Sequence, residues 1–122
     1  MKIKDKLCSG KPCLSFEVFP PKTSDNYKTV IEATDEIAKL KPSFMSVTFG
    51  AGGGTSEYTV SIAKRIYKEH GVTPIAHLTC ASMNKAVVSC QLQKLMENGI
   101  ENILALRGDI PEGVDPKAPR DF

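Results

Sequence analysis

The chain has 122 residues, 41% of them hydrophobic, which is enough to bury the core of one domain. Its net charge of +2 is spread over both signs, so it lacks the concentrated basic face of a nucleic-acid binder. No apolar run approaches the roughly 20 residues of a membrane helix, and no signal-peptide core follows the basic start, so a soluble cytoplasmic protein is expected.

Residues 1–13 read as a polar lead-in. Ser15–Phe19 is rich in aromatic and β-branched types and predicts a strand that Pro20-Pro21 ends. Ser24 reads as the N-cap of a helix running to about Leu40, with Tyr27, Val30, Ile31, Ile37 and Ala38 in one apolar stripe. Lys41-Pro42 stops it, and Phe44–Phe49 is the second strand. After the loop Gly50-Ala51-Gly52-Gly53-Gly54, Thr55 or Ser56 caps a second helix with Tyr58, Ile62, Ala63 and Ile66 inward and Gly71 at its end. Pro74–Cys80 is the third strand, and Asn84 or Ser82 starts a third helix with Val88, Leu92, Leu95 and Met96 inward. Asn98-Gly99 follows a helical period and reads as its C-cap rather than a hairpin turn. Asn102–Arg107 is the fourth strand, and Gly108 opens a proline-rich loop.

Strands separated by helical crossovers imply a parallel α/β sheet. The four cysteines, Cys8, Cys13, Cys80 and Cys90, contain no C-x-x-C spacing, which predicts buried free thiols and neither a disulfide framework nor a metal site.

Glu17, Thr48, His77 and Asp109 recur 31, 29 and 32 residues apart, near the end of each successive strand. Alternation places Ser15 with Glu17, Ser46 with Thr48, His77 with Thr79 and Arg107 with Asp109 on one polar face. Phe16, Val18, Met45, Val47, Ala76, Leu78, Leu104 and Leu106 then form the opposite, apolar face. A polar face near the carboxyl ends fits a (β/α) barrel with inward residues converging on a site there. Four strands cannot close an eight-stranded barrel, which usually takes about 250 residues, so the chain reads as the first half of a (β/α)8 TIM barrel of about four βα units.

Each site residue has a plainer reading. Glu17 is a carboxylate with apolar neighbours, either paired with Arg107 or Lys22 or desolvated and available as a general acid. His77 taken alone is a core imidazole, Thr48 a common strand residue, and Arg107-Gly108-Asp109 a turn with a local ion pair. Phe49 suits either the core or a flat ligand. Gly52–Gly54 matches neither G-x-G-x-x-G nor the P-loop, which favours a flexible loop.

The exact strings go further. Ser15-Phe16-Glu17-Val18-Phe19-Pro20-Pro21-Lys22, Ser46-Val47-Thr48-Phe49-Gly50-Ala51, Ala76-His77-Leu78-Thr79-Cys80 and Leu106-Arg107-Gly108-Asp109-Ile110-Pro111 together resemble the methylenetetrahydrofolate reductase family, in order and over about residues 14–122. The resemblance implies a flavoprotein (β/α)8 barrel. In it FAD takes a hydride from NADH or NADPH, then delivers it to methylenetetrahydrofolate to give methyltetrahydrofolate. It implies that Glu17 is the general acid opening the folate's imidazolidine ring, and that Asp109 is the negative charge near flavin and pterin. It further implies that Thr48, Phe49, Ala51, His77, Arg107 and Gly108 line the flavin, with Asp109 beside them, and that the full-length protein is a homo-oligomer.

The sequence departs from the family in Phe49, where a tyrosine is common, in its glycine-rich loop, and in covering only the first half of the catalytic barrel. Taken as the entire molecule, the 122 residues are expected to bind FAD weakly or not at all and to lack turnover. Two rival readings are a non-catalytic half-barrel that self-associates or completes a barrel with a partner, and another folate-dependent barrel enzyme such as a methyltransferase.

Overall fold

The computed structural model describes residues 2–49, 56–110 and 112–119. In chain order the elements are α1 (Ile3–Leu7), β1 (Ser15–Val18), α2 (Tyr27–Lys39), β2 (Phe44–Val47), α3 (Ser56–His70), β3 (Thr73–Thr79), α4 (Lys85–Glu97) and β4 (Ile103–Leu106). The four strands form one sheet in the order β1-β2-β3-β4, every neighbour parallel. Each strand–helix–strand step therefore places the next strand beside the last, as expected for successive βα units.

One face of the sheet carries the core. Met45, Val47 and Ala76 are fully buried there against Ile62, Ala63 and Ile66 of α3, and Ala38 closes the side toward α2. Complete burial of side chains such as Ile62 and Ile66 stabilises the fold by about 1.5–3 kcal/mol each. The helices are fixed by their ends as well as their stripes. Asn84 caps α4, its Oδ1 accepting the Val87 amide at 2.9 Å. At the other end Gly99 takes the left-handed conformation (φ 77°). Its amide donates to the Met96 carbonyl while the Ile100 amide reaches that of Leu95, and Leu95 and Ile100 are both buried. That arrangement is a Schellman cap with its hydrophobic contact.

Several expectations need correction. Ser24 does not cap the long helix; residues Ser24–Asn26 form a 3₁₀ turn, and α2 starts at Tyr27 with no side-chain cap. β1 and β2 stop at Val18 and Val47, and β4 at Leu106, short of Phe19, Phe49 and Arg107. Met96 is not inward: it is 67% exposed, on a helix that leads into β4, an outer strand of the sheet. The thiols are free as expected but not buried; Cys8 and Cys90 are exposed, and Cys13 and Cys80 partly so. The lead-in contains α1, whose Ile3 amide donates to Asn102 Oδ1 at 2.9 Å and so docks it at the amino ends of the strands.

The register also reassigns β4. Ala76 pairs with Ile103 and Leu78 with Ala105, so these two continue the helix-facing side. Leu104 and Leu106 pair with His77 and Thr79 and share their face. Alternation counted back from Arg107 and Asp109 fails because the chain leaves the extended conformation before them, with Gly108 at φ 78°.

Outside the core, α2 and α3 are clamped by Asp35. Arg65 donates to both its oxygens at 2.8 Å, and His70 Nε2 lies 2.8 Å from Oδ1. The Arg65 hydrogen bond is the main cause that lowers the Asp35 carboxyl from 3.8 to about 2. Among the described residues no helix is long and apolar enough to cross a membrane.

Because the folded carboxyl titrates below the unfolded one, the clamp contributes fully above about pH 4 and is lost as pH falls toward about 2. Asp35→Asn is expected to cost about 1–2 kcal/mol in urea unfolding at neutral pH. Its deficit against the parent chain should shrink through that acidic window; a deficit constant with pH would exclude the ion cluster as its source.

Candidate functional site

The polar side chains gather at the carboxyl ends of the strands. There a depression of about 580 Å³ is lined by Thr48 and Phe49 after β2, His77 and Thr79 from β3, and Arg107 to Ile110 after β4. Thr48 is held from behind: its carbonyl accepts the buried Thr59 hydroxyl of α3 at 2.9 Å, and its amide donates to the Val18 carbonyl at 3.1 Å.

The Arg107–Asp109 turn is fastened to the end of β3. The amide of Ala81 donates to the Arg107 carbonyl at 2.7 Å, and that of Cys80 reaches the Leu106 and Arg107 carbonyls at 3.2 Å each. Gly108 makes this fit. A Cβ at that position would lie 2.8 Å from Thr79 Cβ, closer than two carbons pack, on a backbone with positive φ. Arg107 Nε donates to the Gly108 carbonyl at 3.2 Å, and both Arg107 and Asp109 are otherwise exposed to the mouth and to solvent.

Glu17 does not line the depression itself. It lies on β1 in register with Ser46, whose hydroxyl donates to Glu17 Oε2 at 3.0 Å. His77 Nε2 lies 3.4 Å from the same oxygen without the alignment of a hydrogen bond. His77 is 9% exposed and its Nε2 is buried with no hydrogen-bond partner. The Glu17 side chain is 45% exposed, so the buried, desolvated carboxylate anticipated from its apolar neighbours is not what the fold makes. β1 is an outer strand of the sheet, and among the described residues Glu17 stands exposed on it.

Of the residues singled out by sequence, Thr48, Phe49, His77, Arg107, Gly108 and Asp109 meet at one mouth, and Glu17 joins them through His77. Ala51 lies outside the described residues, as does the Gly52–Gly54 run. Thr79, Ser82, Leu106 and Ile110 also line the depression and were not singled out. Thr79 was within reach, two residues after His77 on the same strand face; Leu106 required the register of β4.

A parallel α/β sheet with its polar groups collected beyond the strand carboxyl ends defines a protein of the ligand-binding α/β class. The family model for methylenetetrahydrofolate reductase matches residues 2–121, and the chain belongs to that family. It is 41% identical over 119 residues to methylenetetrahydrofolate reductase (NADH) 1 of Arabidopsis thaliana, covering 94% of this chain and 20% of that protein. It is 42% identical over 103 residues to 5,10-methylenetetrahydrofolate reductase of Pectobacterium carotovorum subsp. carotovorum, and 40% over 104 residues to that of Escherichia coli (strain K12). The chain spans 35% of each of those two bacterial relatives' length.

Gly108→Ala is expected to destabilise the turn by about 1–3 kcal/mol from backbone strain, with the Thr79 clash added. Gly113 has the same φ of 78° and open space around it, so Gly113→Ala isolates the strain alone. Thermal unfolding should rank Gly108→Ala below Gly113→Ala; equal losses would remove the close approach to Thr79 as a constraint.

Proposed function

We propose that this chain forms the first half of a (β/α)8 barrel that reduces 5,10-methylenetetrahydrofolate to 5-methyltetrahydrofolate, with FAD as cofactor and NADH or NADPH as donor. One observation carries the reading: six residues from three separate βα units, matching the family's flavin-lining positions, meet around one depression. Family membership sets the chemistry that such a mouth would serve.

The residues present suit a flavin. A guanidinium and a threonine hydroxyl offer polar contacts to a heteroaromatic ring edge, and the His77 ring lies beside them. Phe49 offers an apolar contact, and the missing Cβ at Gly108 keeps the turn low. Thr48, Phe49, His77, Arg107 and Gly108 would hold the cofactor, with Ala51 assigned beside them on the resemblance alone. Bound there, FAD would supply hydride transfer.

The chain's own residues supply the rest. Glu17 donates a proton to an imidazolidine nitrogen as the ring opens to an electrophilic iminium, a general-acid role. Its partial exposure leaves the carboxyl accessible to a ligand. Asp109 places a fixed negative charge beside the reacting rings. Free, accessible thiols suit a reducing compartment such as the cytoplasm. The open β4 edge, with Leu104 and Leu106 44% and 39% exposed, favours assembly into a homo-oligomer or with the remainder of a barrel.

Millimolar FAD added to the ¹⁵N-labelled chain is expected to shift the amide resonances of Thr48, His77 and Gly108 selectively. Unperturbed resonances would overturn the assignment of this mouth, and tight stoichiometric binding would overturn the expectation of weak binding by this stretch alone. In the full-length protein that carries this stretch, Glu17→Gln should lower folate reduction by roughly 10²- to 10⁴-fold, the range of general acid catalysis, while FAD binding is unchanged. Equal activity in the variant would remove Glu17 as the acid. Sedimentation of the chain as a monomer at all concentrations would exclude self-association.

A further inference from the structure

We propose that His77 is a positioning residue for Glu17. Together with Ser46 it forms a three-strand bracket that grips one carboxyl oxygen and leaves the other to carry the transferable proton. This rests on Glu17 being the proton donor. Among the described residues, both polar contacts of the Glu17 side chain, with the Ser46 hydroxyl and the His77 imidazole, fall on Oε2. β1, β2 and β3 each supply one member, and the pairing of Glu17 with Ser46 fixes the first two at the same level of the sheet.

The chemistry follows from that convergence. Proton donation leaves a carboxylate behind, and hydrogen-bond donors already in place for the new charge lower the barrier to forming it. Ser46 is at hydrogen-bond distance, whereas His77 Nε2 is 3.4 Å away, buried and lacking any hydrogen bond. A buried polar atom left in that state costs stability, which favours its closing onto the nearest acceptor. Glu17 Oε2 is that acceptor, and a small movement of the half-exposed carboxyl toward the sheet brings it within range. A ligand covering the mouth would press Glu17 the same way and tighten the bond as the acid is needed.

The other charged groups at this mouth, Arg107 and Asp109, come from the turn after β4. Ser46 and Thr48 of β2 and its exit are neutral, and Leu104 and Leu106 of β4 are apolar. Glu17 is therefore the carboxyl in contact with the His77 ring, and Asp109 is the control for it.

The chain holds two histidines, so ¹⁵N spectroscopy of the imidazoles is simple to assign. Apart from the ring's own titration, the His77 Nε2 resonance is expected to step as Glu17 takes up its proton. That step should vanish in Glu17→Gln and persist in Asp109→Asn. A resonance blind to Glu17→Gln overturns the pairing, and a step lost in Asp109→Asn assigns it to the wrong carboxyl and overturns it as well. In folate reduction by the full-length protein, His77→Leu should lower kcat by roughly 10- to 100-fold, the size of one hydrogen bond to a charged oxygen, and His77→Gln, which keeps a donor, should recover most of it. Should His77→Leu fail to fold, the Glu17→Gln spectrum decides alone, since that change is on a half-exposed side chain. Coupled resonances with full activity in Glu17→Gln would discard the general-acid role and leave the pairing standing. Uncoupled resonances with activity lost in Glu17→Gln would do the reverse.

Discussion

The mouth depends on a contact that contains no side-chain functional group at all, the approach of Gly108 to Thr79. With a hypothetical Cβ only 2.8 Å from that of Thr79, the turn can lie against β3 only as glycine. The amides of Cys80 and Ala81 then hold the carbonyls of Leu106 and Arg107. That places a guanidinium and a carboxylate, which the register of β4 continued by alternation would separate from His77, around the same depression. A close backbone approach thus decides the electrostatics of the site before any charged residue is chosen.

The two ends of the sheet divide the work. At the amino end the ties are neutral hydrogen bonds: Asn102 receives the Ile3 amide and its carbonyl accepts from Ala76. On the outer surface the ion pair of Asp35 with Arg65, and the contact of Asp35 with His70, join α2 to α3. At the carboxyl end, by contrast, a buried imidazole nitrogen lacks a partner and charged residues stand open to solvent. Satisfied groups mark where the fold is held, and the unsatisfied one marks where a ligand or a moving carboxyl has room to act.

Local chemistry made much of this readable. The βα alternation, the α3 stripe of Ile62, Ala63 and Ile66, the Asn84 cap and the Gly99 stop each rest on a few neighbouring residues, and each stands as read. Several of the readings that failed depend on what lies across the sheet. Whether Leu104 faces helix or mouth is set by its pairing with His77, and whether Glu17 is desolvated is set by what stands beside β1. Met96 follows the same rule, since a helical stripe buries only the positions that meet a neighbour. α1 is too short to show a period, and its docking through a distant Asn102 leaves no trace nearby in sequence.

The plain strand order β1-β2-β3-β4 has a kinetic consequence. No strand inserts between two earlier ones, so each pairing closes a loop of one βα unit and never waits for a distant segment. The entropy of closing such loops grows only slowly with length and is met in small, equal instalments. A chain emerging from the ribosome can therefore add strands one at a time to a template that always presents its newest edge. The same geometry leaves β4, among the described residues, as an outer strand with one edge unpaired. With Leu104 and Leu106 partly exposed beside it, an unpaired edge of this kind is open to the wrong neighbour.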